Sequence, residues 1–391
     1  MPEINQPDIQ AEEVFEGLRI VLLVHSLLGG GAERVTVNLA TDWADCGARV
    51  RIVILGNADQ KQYDLPENID FTALGLAATS RGPVQAMMNN IKRLLGMRKF
   101  LAREKPDVVI GMGTTMATLL ALIRTKRYIA IGSEHNHPPM QPIGPVWSFL
   151  RRWSYTRLDS ATVLTGQTRD WIAANTRAKK IAVLPNAISL PLPLNAPFLP
   201  LEKVMVSGRK MLLAVGRLQK VKGFDCLIEA FGEVHVDHPD WDLVILGEGT
   251  ERTALEAQIR TDGLQNRIKM PGWAGNIADW YQAADLFAVT SLTEGFPMGL
   301  VEAMAHGCAA VSVDCDTGPR DIIDHNRNGI LVPQDDPAAL VGALDRLMRD
   351  EDLRAKLGHA ATEVTDRFSP ARINARWATL LQPTAQDQGL D

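Results

Sequence analysis

Ala283-Ala284-Asp285-Leu286-Phe287-Ala288-Val289 is followed closely by Glu294-Gly295-Phe296-Pro297-Met298-Gly299-Leu300-Val301-Glu302, which opens a helix-forming stretch closing on Gly307. An apolar strand that ends near a carboxylate, passes two glycines and enters a helix offers free backbone N–H groups and the positive end of a helix dipole to an anion. Glu294 precedes the turn and Glu302 lies inside the helix, so the two can hold hydroxyls on either side of a bound phosphate. The competing reading is an ordinary strand-to-helix turn with Glu302 in solvent, and companions elsewhere in the chain decide between them.

Working outward, the same strand, loop and helix order recurs. Leu18 to Val24 is apolar, exits through His25-Ser26 into glycines, and leads to a helical pattern from Ala32 to Ala44. Short apolar runs follow at Arg51 to Leu55, Asp107 to Ile110, Tyr128 to Ile131 and Ser160 to Leu164. The pattern restarts with strands at Lys210 to Val215, Trp241 to Leu246, Arg267 to Met270, Leu286 to Val289 and Ala309 to Val313, and helices at Gly223 to His235 and Glu251 to Ile259. Such alternation predicts parallel sheets covered by helices on both faces. Between the two series Pro191, Pro193, Pro197 and Pro200 break regular structure and mark a linker. The expected fold is therefore α/β with two Rossmann-like domains: a disordered tail at 1–16, an N-terminal domain at 17–190, a linker at 191–208, a C-terminal domain at 209–367, and a closing helix and tail at 368–391. Each domain should bind ligand at the carboxyl ends of its strands, and two facing domains would make an interdomain cleft.

The chain has 391 residues, enough for two large domains, and its 46% hydrophobic and 22% charged content suits substantial cores and excludes a wholly disordered protein. Cys46, Cys226, Cys308 and Cys315 show no metal-site or dithiol spacing, so a reducing cytoplasmic compartment is expected. The N-terminus lacks the basic start and apolar centre of a signal peptide. No apolar run approaches the roughly 20 residues needed to cross a bilayer, so any membrane contact would be peripheral. A formal net charge of −5 argues against nucleic acid as a partner.

Glu294 and Glu302, two glutamates separated by seven residues, resemble the motif of the retaining GT-B glycosyltransferases of family 4. The resemblance implies that Glu294 contacts the donor sugar, that the backbone of Gly295, Phe296, Pro297, Met298, Gly299 and Leu300 meets sugar and diphosphate, and that Glu302 meets the ribose. Gly216-Arg217-Leu218 and Lys222-Gly223, after the first strand of the second domain, resemble the family's diphosphate clamp. Two fixed cations at Arg217 and Lys222 would offset the charge that builds on a departing nucleoside diphosphate. His135, in Ser133-Glu134-His135-Asn136-His137, matches a histidine near the donor's reactive face, with a purely structural histidine as the other reading. The resemblance also implies a C-terminal helix, here the one carrying Trp377, that crosses back onto the first domain.

Other segments are less decided. Gly29-Gly30-Gly31-Ala32-Glu33 lacks the GxGxxG order of a dinucleotide fingerprint. In the resembling family this loop lets acceptor or donor phosphates approach Gly30 and Gly31, while a plain tight turn with Glu33 at the helix start is the alternative. Trp273 either stacks on the nucleobase or fills core. Asp314-Cys315-Asp316 looks like the metal motif of the other large glycosyltransferase fold, but Arg217 and Lys222 supply the charge, so no metal and no cofactor are expected. His135 and His137 lack the further ligands that zinc requires. Thr317-Gly318-Pro319-Arg320-Asp321 departs from the family pattern by one glycine and by Asp321 for a glutamate. Its contacts are left open, with Arg320 a candidate phosphate ligand.

From Val84 to Lys105, Val84, Met87, Met88, Ile91, Leu94 and Leu95 mark one helical face. Lys92, Lys99 and Arg103 form a second, basic stripe about 16 Å long at about 1.5 Å per residue. That stripe suits a lipid diphosphate or an anionic leaflet, or is simply a solvated face. Trp147-Ser148-Phe149-Leu150-Arg151-Arg152-Trp153 interleaves aromatic and basic residues as interfacial helices do. The chain most resembles bacterial enzymes extending polyprenyl-diphosphate-linked oligosaccharides. The expectation is thus metal-independent, retaining transfer of a hexose or N-acetylhexosamine from a nucleotide sugar, with UDP favoured, to a lipid-linked or polysaccharide glycan at the cytoplasmic face of the inner membrane. A GT-B nucleotide-sugar epimerase and a catalytically silent glycan-binding protein are the alternatives.

Overall fold

The computed structural model describes residues 11–28, 30–59, 65–79 and 81–381. The chain divides into two compact units, one running to Ala187 and taking in the segment from Pro370, the other spanning Ile188–Ser369.

The first unit begins with α1 (Ala11–Phe15), β1 (Arg19–Val24), α2 (Gly31–Asp45), β2 (Arg49–Ile54) and β3 (Asp70–Ala73). It continues through α3 (Pro83–Glu104), β4 (Val108–Met112), α4 (Thr114–Ile123), β5 (Ile129–Glu134) and α5 (Pro145–Ser154). β6 (Ser160–Val163), α6 (Gly166–Asn175) and β7 (Ile181–Val183) follow. The strands form one parallel sheet in the order β3-β2-β1-β4-β5-β6-β7. Strand side chains alternate between two cores. Ile20, Leu22 and Val24 face α1 and α2, and Val21 and Leu23 face α3 and α4.

The second unit contains β8 (Lys210–Val215), α7 (Phe224–Val234), β9 (Trp241–Leu246), α8 (Arg252–Thr261), β10 (Ile268–Gly272) and α9 (Ile277–Ala283). Next come β11 (Leu286–Val289), α10 (Met298–Ala305), β12 (Ala310–Asp314), α11 (Pro319–Ile322) and β13 (Ile330–Pro333). α12 (Pro337–Arg349), α13 (Glu351–Ala361) and α14 (Val364–Arg367) complete it, and α15 (Pro370–Leu381) belongs to the first unit. Its sheet is also parallel, ordered β10-β9-β8-β11-β12-β13. In each sheet the order reverses once, between β1 and β4 and between β8 and β11. Loops leaving those strands diverge there and open a crevice, the usual ligand position in open α/β sheets.

Two expected boundaries change. The tail assigned to 1–16 is helical at Ala11–Phe15, and Phe15 is fully buried, stacked on Trp43 with ring centroids 5.3 Å apart; residues 1–10 lie outside the described residues. A single buried aromatic in a polar stretch has no periodicity to announce it. The segment expected as a linker, 191–208, is bound to the second unit. Asn195 N–H donates to the Gly275 carbonyl at 3.0 Å, Gly275 N–H donates to the Pro197 carbonyl at 2.7 Å, and Asn276 holds both the N–H and the carbonyl of Leu199. A Cβ at Gly275 would come within 1.9 Å of the Asn195 carbonyl oxygen, so only glycine permits this approach.

α15 returns to the first unit because Trp377 packs edge-on against Trp43 at 5.3 Å and Asn374 Oδ1 accepts from Trp43 Nε1 at 3.0 Å. No helix among the described residues is long and apolar enough to cross a membrane.

Candidate functional site

The loops leaving β8 and β11 are tied together at the switch point of the second sheet. Gly223 has φ +62°, and a Cβ there would lie 2.1 Å from the Thr290 carbonyl oxygen. The glycine thus lets the first loop press against the second. Thr290 Oγ1 donates to the Lys222 carbonyl at 3.2 Å, and Leu292 N–H donates to the Val221 carbonyl at 2.8 Å. With its backbone anchored, Lys222 reaches Glu294: Nζ to Oε1 is 2.6 Å, with the side chains 24% and 12% exposed. Ser291 Oγ donates to the same oxygen at 2.6 Å. Oε2 of Glu294 has no hydrogen-bond partner among the described residues and is left to accept from a ligand.

A third loop, after β12, braces this arrangement. Thr317 Oγ1 donates to the Glu294 carbonyl. Gly318, at φ +99°, packs so closely that a Cβ would meet Pro297 Cδ at 2.6 Å. Pro297 caps α10 without a side-chain acceptor, so the first-turn amides at Met298 and Gly299 have no helical partner. Leu300 is buried on the inner face of that helix. Glu302 is buried as well, at 4% exposure, and accepts from Tyr281 Oη at 3.0 Å. Tyr281 is held in turn between Phe287 and His306.

The remaining expected donor residues separate. Arg217 is exposed and makes no ion pair among the described residues. Gly295 sits in the turn beside Phe296, whose ring is buried edge-on against Phe368 at 5.2 Å, so only the Phe296 backbone is available to a ligand. Trp273 is 58% exposed and does not fill core. Arg320 pairs with Asp314 at 2.9 Å, which leaves the Asp314-Cys315-Asp316 segment engaged by an arginine. Among the described residues no three His, Cys, Asp or Glu side chains are arranged to hold a metal ion. Ser291 and Tyr281 stand beside Glu294 and Glu302 and were passed over by sequence reasoning, while Thr317 lies in the segment whose contacts were left open and braces the Glu294 carbonyl. Ser291, three residues before Glu294, carried a usable signal, because hydroxyls readily bond groups a few residues away.

In the first unit, β5 delivers Glu134 and His135 at its carboxyl end. Burial depresses the His135 imidazole to about 4, so it is neutral near pH 7. Its Nε2 lies 3.1 Å from Ser133 Oγ, and Thr162 Oγ1 donates to that same hydroxyl at 2.9 Å. A Ser133 hydroxyl that accepts from Thr162 still has its hydrogen to donate to Nε2, the assignment that puts the ring hydrogen on Nδ1. Glu134 is buried with Thr114 Oγ1 and Tyr155 Oη each 2.5 Å from one of its oxygens; burial raises its carboxyl while these hydrogen bonds oppose the shift. His137 is occupied by Thr168 Oγ1 at 3.1 Å. Gly30 caps α2, and the Glu33 carboxylate folds back over it so that a Cβ at Gly30 would meet Oε2 at 2.0 Å, whereas Gly31 has open space. Gly29 lies outside the described residues. Lys92, Lys99 and Arg103 are all exposed on α3.

Two family models match in succession: a glycosyl transferase 4-like domain over residues 30–187 and glycosyl transferases group 1 over residues 202–364. An exopolysaccharide phosphotransferase of Streptomyces coelicolor is 32% identical over 73% of this chain, which spans 29% of that protein. A Campylobacter jejuni GalNAc-alpha-(1->4)-GalNAc-alpha-(1->3)-diNAcBac-PP-undecaprenol alpha-1,4-N-acetyl-D-galactosaminyltransferase is 27% identical over 93% of this chain and 98% of its own. Among solved structures, Staphylococcus aureus TarM in complex with fondaparinux, alpha-GlcNAc-glycerol and UDP aligns with a TM-score of 0.76 at 15% identity, covering 94% of this chain and 100% of TarM. With two parallel-sheet α/β units and both halves matched, the chain belongs to the group 1 glycosyltransferases of GT-B fold.

Proposed function

We propose that this glycosyltransferase moves a hexose or N-acetylhexosamine, with retention at the anomeric carbon, from a UDP-sugar to a polyprenyl-diphosphate-linked glycan in bacterial polysaccharide or glycoconjugate synthesis. The observation that carries this reading is the Glu294 carboxylate held on one oxygen by Lys222 and Ser291, with the other oxygen open, beside the uncapped start of α10. Lys222 and Arg217 meet the diphosphate, the Met298 and Gly299 amides add the helix's positive end, and Glu302 takes the ribose. Glu294 Oε2 accepts from a donor-sugar hydroxyl, and neutral His135 donates through Nδ1. Gly30 and Gly31 let the acceptor approach the first unit. The bond from the anomeric carbon to the diphosphate oxygen breaks, the acceptor oxygen bonds to that carbon, and the acceptor's proton passes to the leaving diphosphate. The presence of UDP with TarM supports the donor class, and the undecaprenol-linked substrate of the C. jejuni relative supports the acceptor class.

The test is a panel of UDP- and GDP-sugars with the purified protein and a lipid-linked glycan, with product read by mass. Transfer from a UDP-sugar that survives a metal chelator and drops by orders of magnitude in Glu294→Ala is expected. Conversion of the donor without an acceptor would assign an epimerase instead, and chelator-dependent transfer would return the metal to Asp314-Cys315-Asp316.

A further inference from the structure

We infer that Ser291 is a positioning residue for the transfer, whose hydroxyl keeps the Glu294 carboxylate in place once Lys222 has gone over to the diphosphate. The inference rests on the donor reading above and concerns what holds the carboxylate after its cationic partner leaves.

In the free protein one oxygen, Glu294 Oε1, accepts from Lys222 Nζ and from Ser291 Oγ, each at 2.6 Å. The two donors differ in how firmly they are fixed. Lys222 carries its ammonium on a flexible four-carbon stem and is 24% exposed, while its backbone is tied to Thr290. The ammonium can therefore turn to a phosphate without moving the loop. Ser291 is 3% exposed, and its chain neighbours are held on both sides. Thr290 Oγ1 donates to the Lys222 carbonyl, Leu292 N–H donates to the Val221 carbonyl, and Gln334 Nε2 donates to the Leu292 carbonyl at 2.9 Å. Thr317 Oγ1 fixes the far end of this short span by donating to the Glu294 carbonyl. The hydroxyl stays in place while the ammonium moves.

The Ser291 hydrogen has one acceptor among the described residues, Glu294 Oε1. When Lys222 leaves, a carboxylate only 12% exposed loses its ion pair, and the remaining charge-assisted bond becomes the stronger for it. That bond also decides which oxygen meets the donor. With Oε1 tethered three residues upstream, Oε2 remains the free oxygen and needs no reorientation when the sugar arrives. Without the tether the carboxylate turns about its last torsion and follows the departing lysine.

Wild type, Ser291→Ala, Ser291→Cys, Glu294→Ala and the double variant Ser291→Ala with Glu294→Ala are compared in transfer from a UDP-sugar and in calorimetry with UDP. Turnover of Ser291→Ala should fall about ten- to a hundredfold, the worth of a buried hydrogen bond to a charged group. UDP affinity should change by less than about threefold, because Lys222 and the α10 amides are untouched. Ser291→Cys, with a weaker donor of similar shape, should fall between wild type and Ser291→Ala. In the Glu294→Ala background there is no carboxylate to hold, so adding Ser291→Ala should cost nothing more. Turnover of Ser291→Ala within about threefold of wild type overturns the inference, as does a UDP affinity that falls in step with turnover, or an equal added loss in the Glu294→Ala background. If Ser291→Ala does not fold, Ser291→Cys decides by the same split between turnover and affinity. Near-normal turnover in Glu294→Ala would remove the donor reading itself, whereas a crippled Glu294→Ala beside an active Ser291→Ala removes only the role of Ser291.

Discussion

Replacing Glu294 by Gln and Lys222 by Met should move nucleotide affinity in opposite directions. The two side chains are 2.6 Å apart and mostly buried. At an effective dielectric constant of about 20 their gross attraction is about 6 kcal/mol. Desolvation of both ions offsets most of it, leaving a net coupling of about 1–3 kcal/mol. In the free protein Glu294 competes with the incoming diphosphate for the lysine. Glu294→Gln keeps the hydrogen bond from Ser291 and removes the competing charge, so UDP should bind about five- to a hundredfold more tightly, at about 1.4 kcal/mol per decade, while turnover falls by orders of magnitude. Lys222→Met should weaken UDP binding, and the double variant should reveal the coupling in a urea-unfolding cycle. Titration calorimetry with UDP gives the affinities. Equal loss of UDP affinity in both single variants, or a coupling below about 0.5 kcal/mol, would refute the competition.

Gly223→Ala should destabilise by at least about 2 kcal/mol, since it combines left-handed backbone strain with a Cβ driven into the Thr290 carbonyl; Gly31→Ala, with open space around it, should stay within about 0.5 kcal/mol in the same denaturant titration. The depressed His135 imidazole sets a pH dependence of stability. Between about pH 6.5 and 4 the unfolded chain holds a proton that the folded chain does not, so stability falls as pH drops through that window, by at most about 3 kcal/mol. His135→Gln should flatten that slope in unfolding titrations at pH 7 and 5, and an unchanged slope would mean the ring is not held neutral. The raised Glu134 carboxyl acts in the opposite sense and is common to both proteins.

The elements around the candidate site were legible in the sequence where their signals were local. The carboxylate, turn and helix at Glu294 to Glu302, and the two cations after β8, sit on contiguous chain whose glycines and apolar runs announce strand ends. The same reading missed β3, β7 and β13, each three or four residues long, because so short a run shows no period. It saw Lys222 and Glu294 as separate contributors, 72 residues apart, and gave no hint that they form a pair.

By itself the sequence determined the doubly wound α/β architecture, the second unit's five main strands and the strand-to-helix turn from Glu294 to Met298, because strand and helix periodicity and turn glycines act over a few residues. Tertiary structure decided which faces are covered. α3 turns its richest apolar stripe outward because Leu76 packs within 2.6 Å of where a Cβ on Gly96 would sit, and the Leu76 and Ala78 carbonyls engage Arg93 from the same side. Phe296 is drawn inward by Phe368 while Trp273 is left in solvent. Burial depends on neighbours that are remote along the chain, and hydrophobicity read along one helix cannot say on which side those neighbours lie.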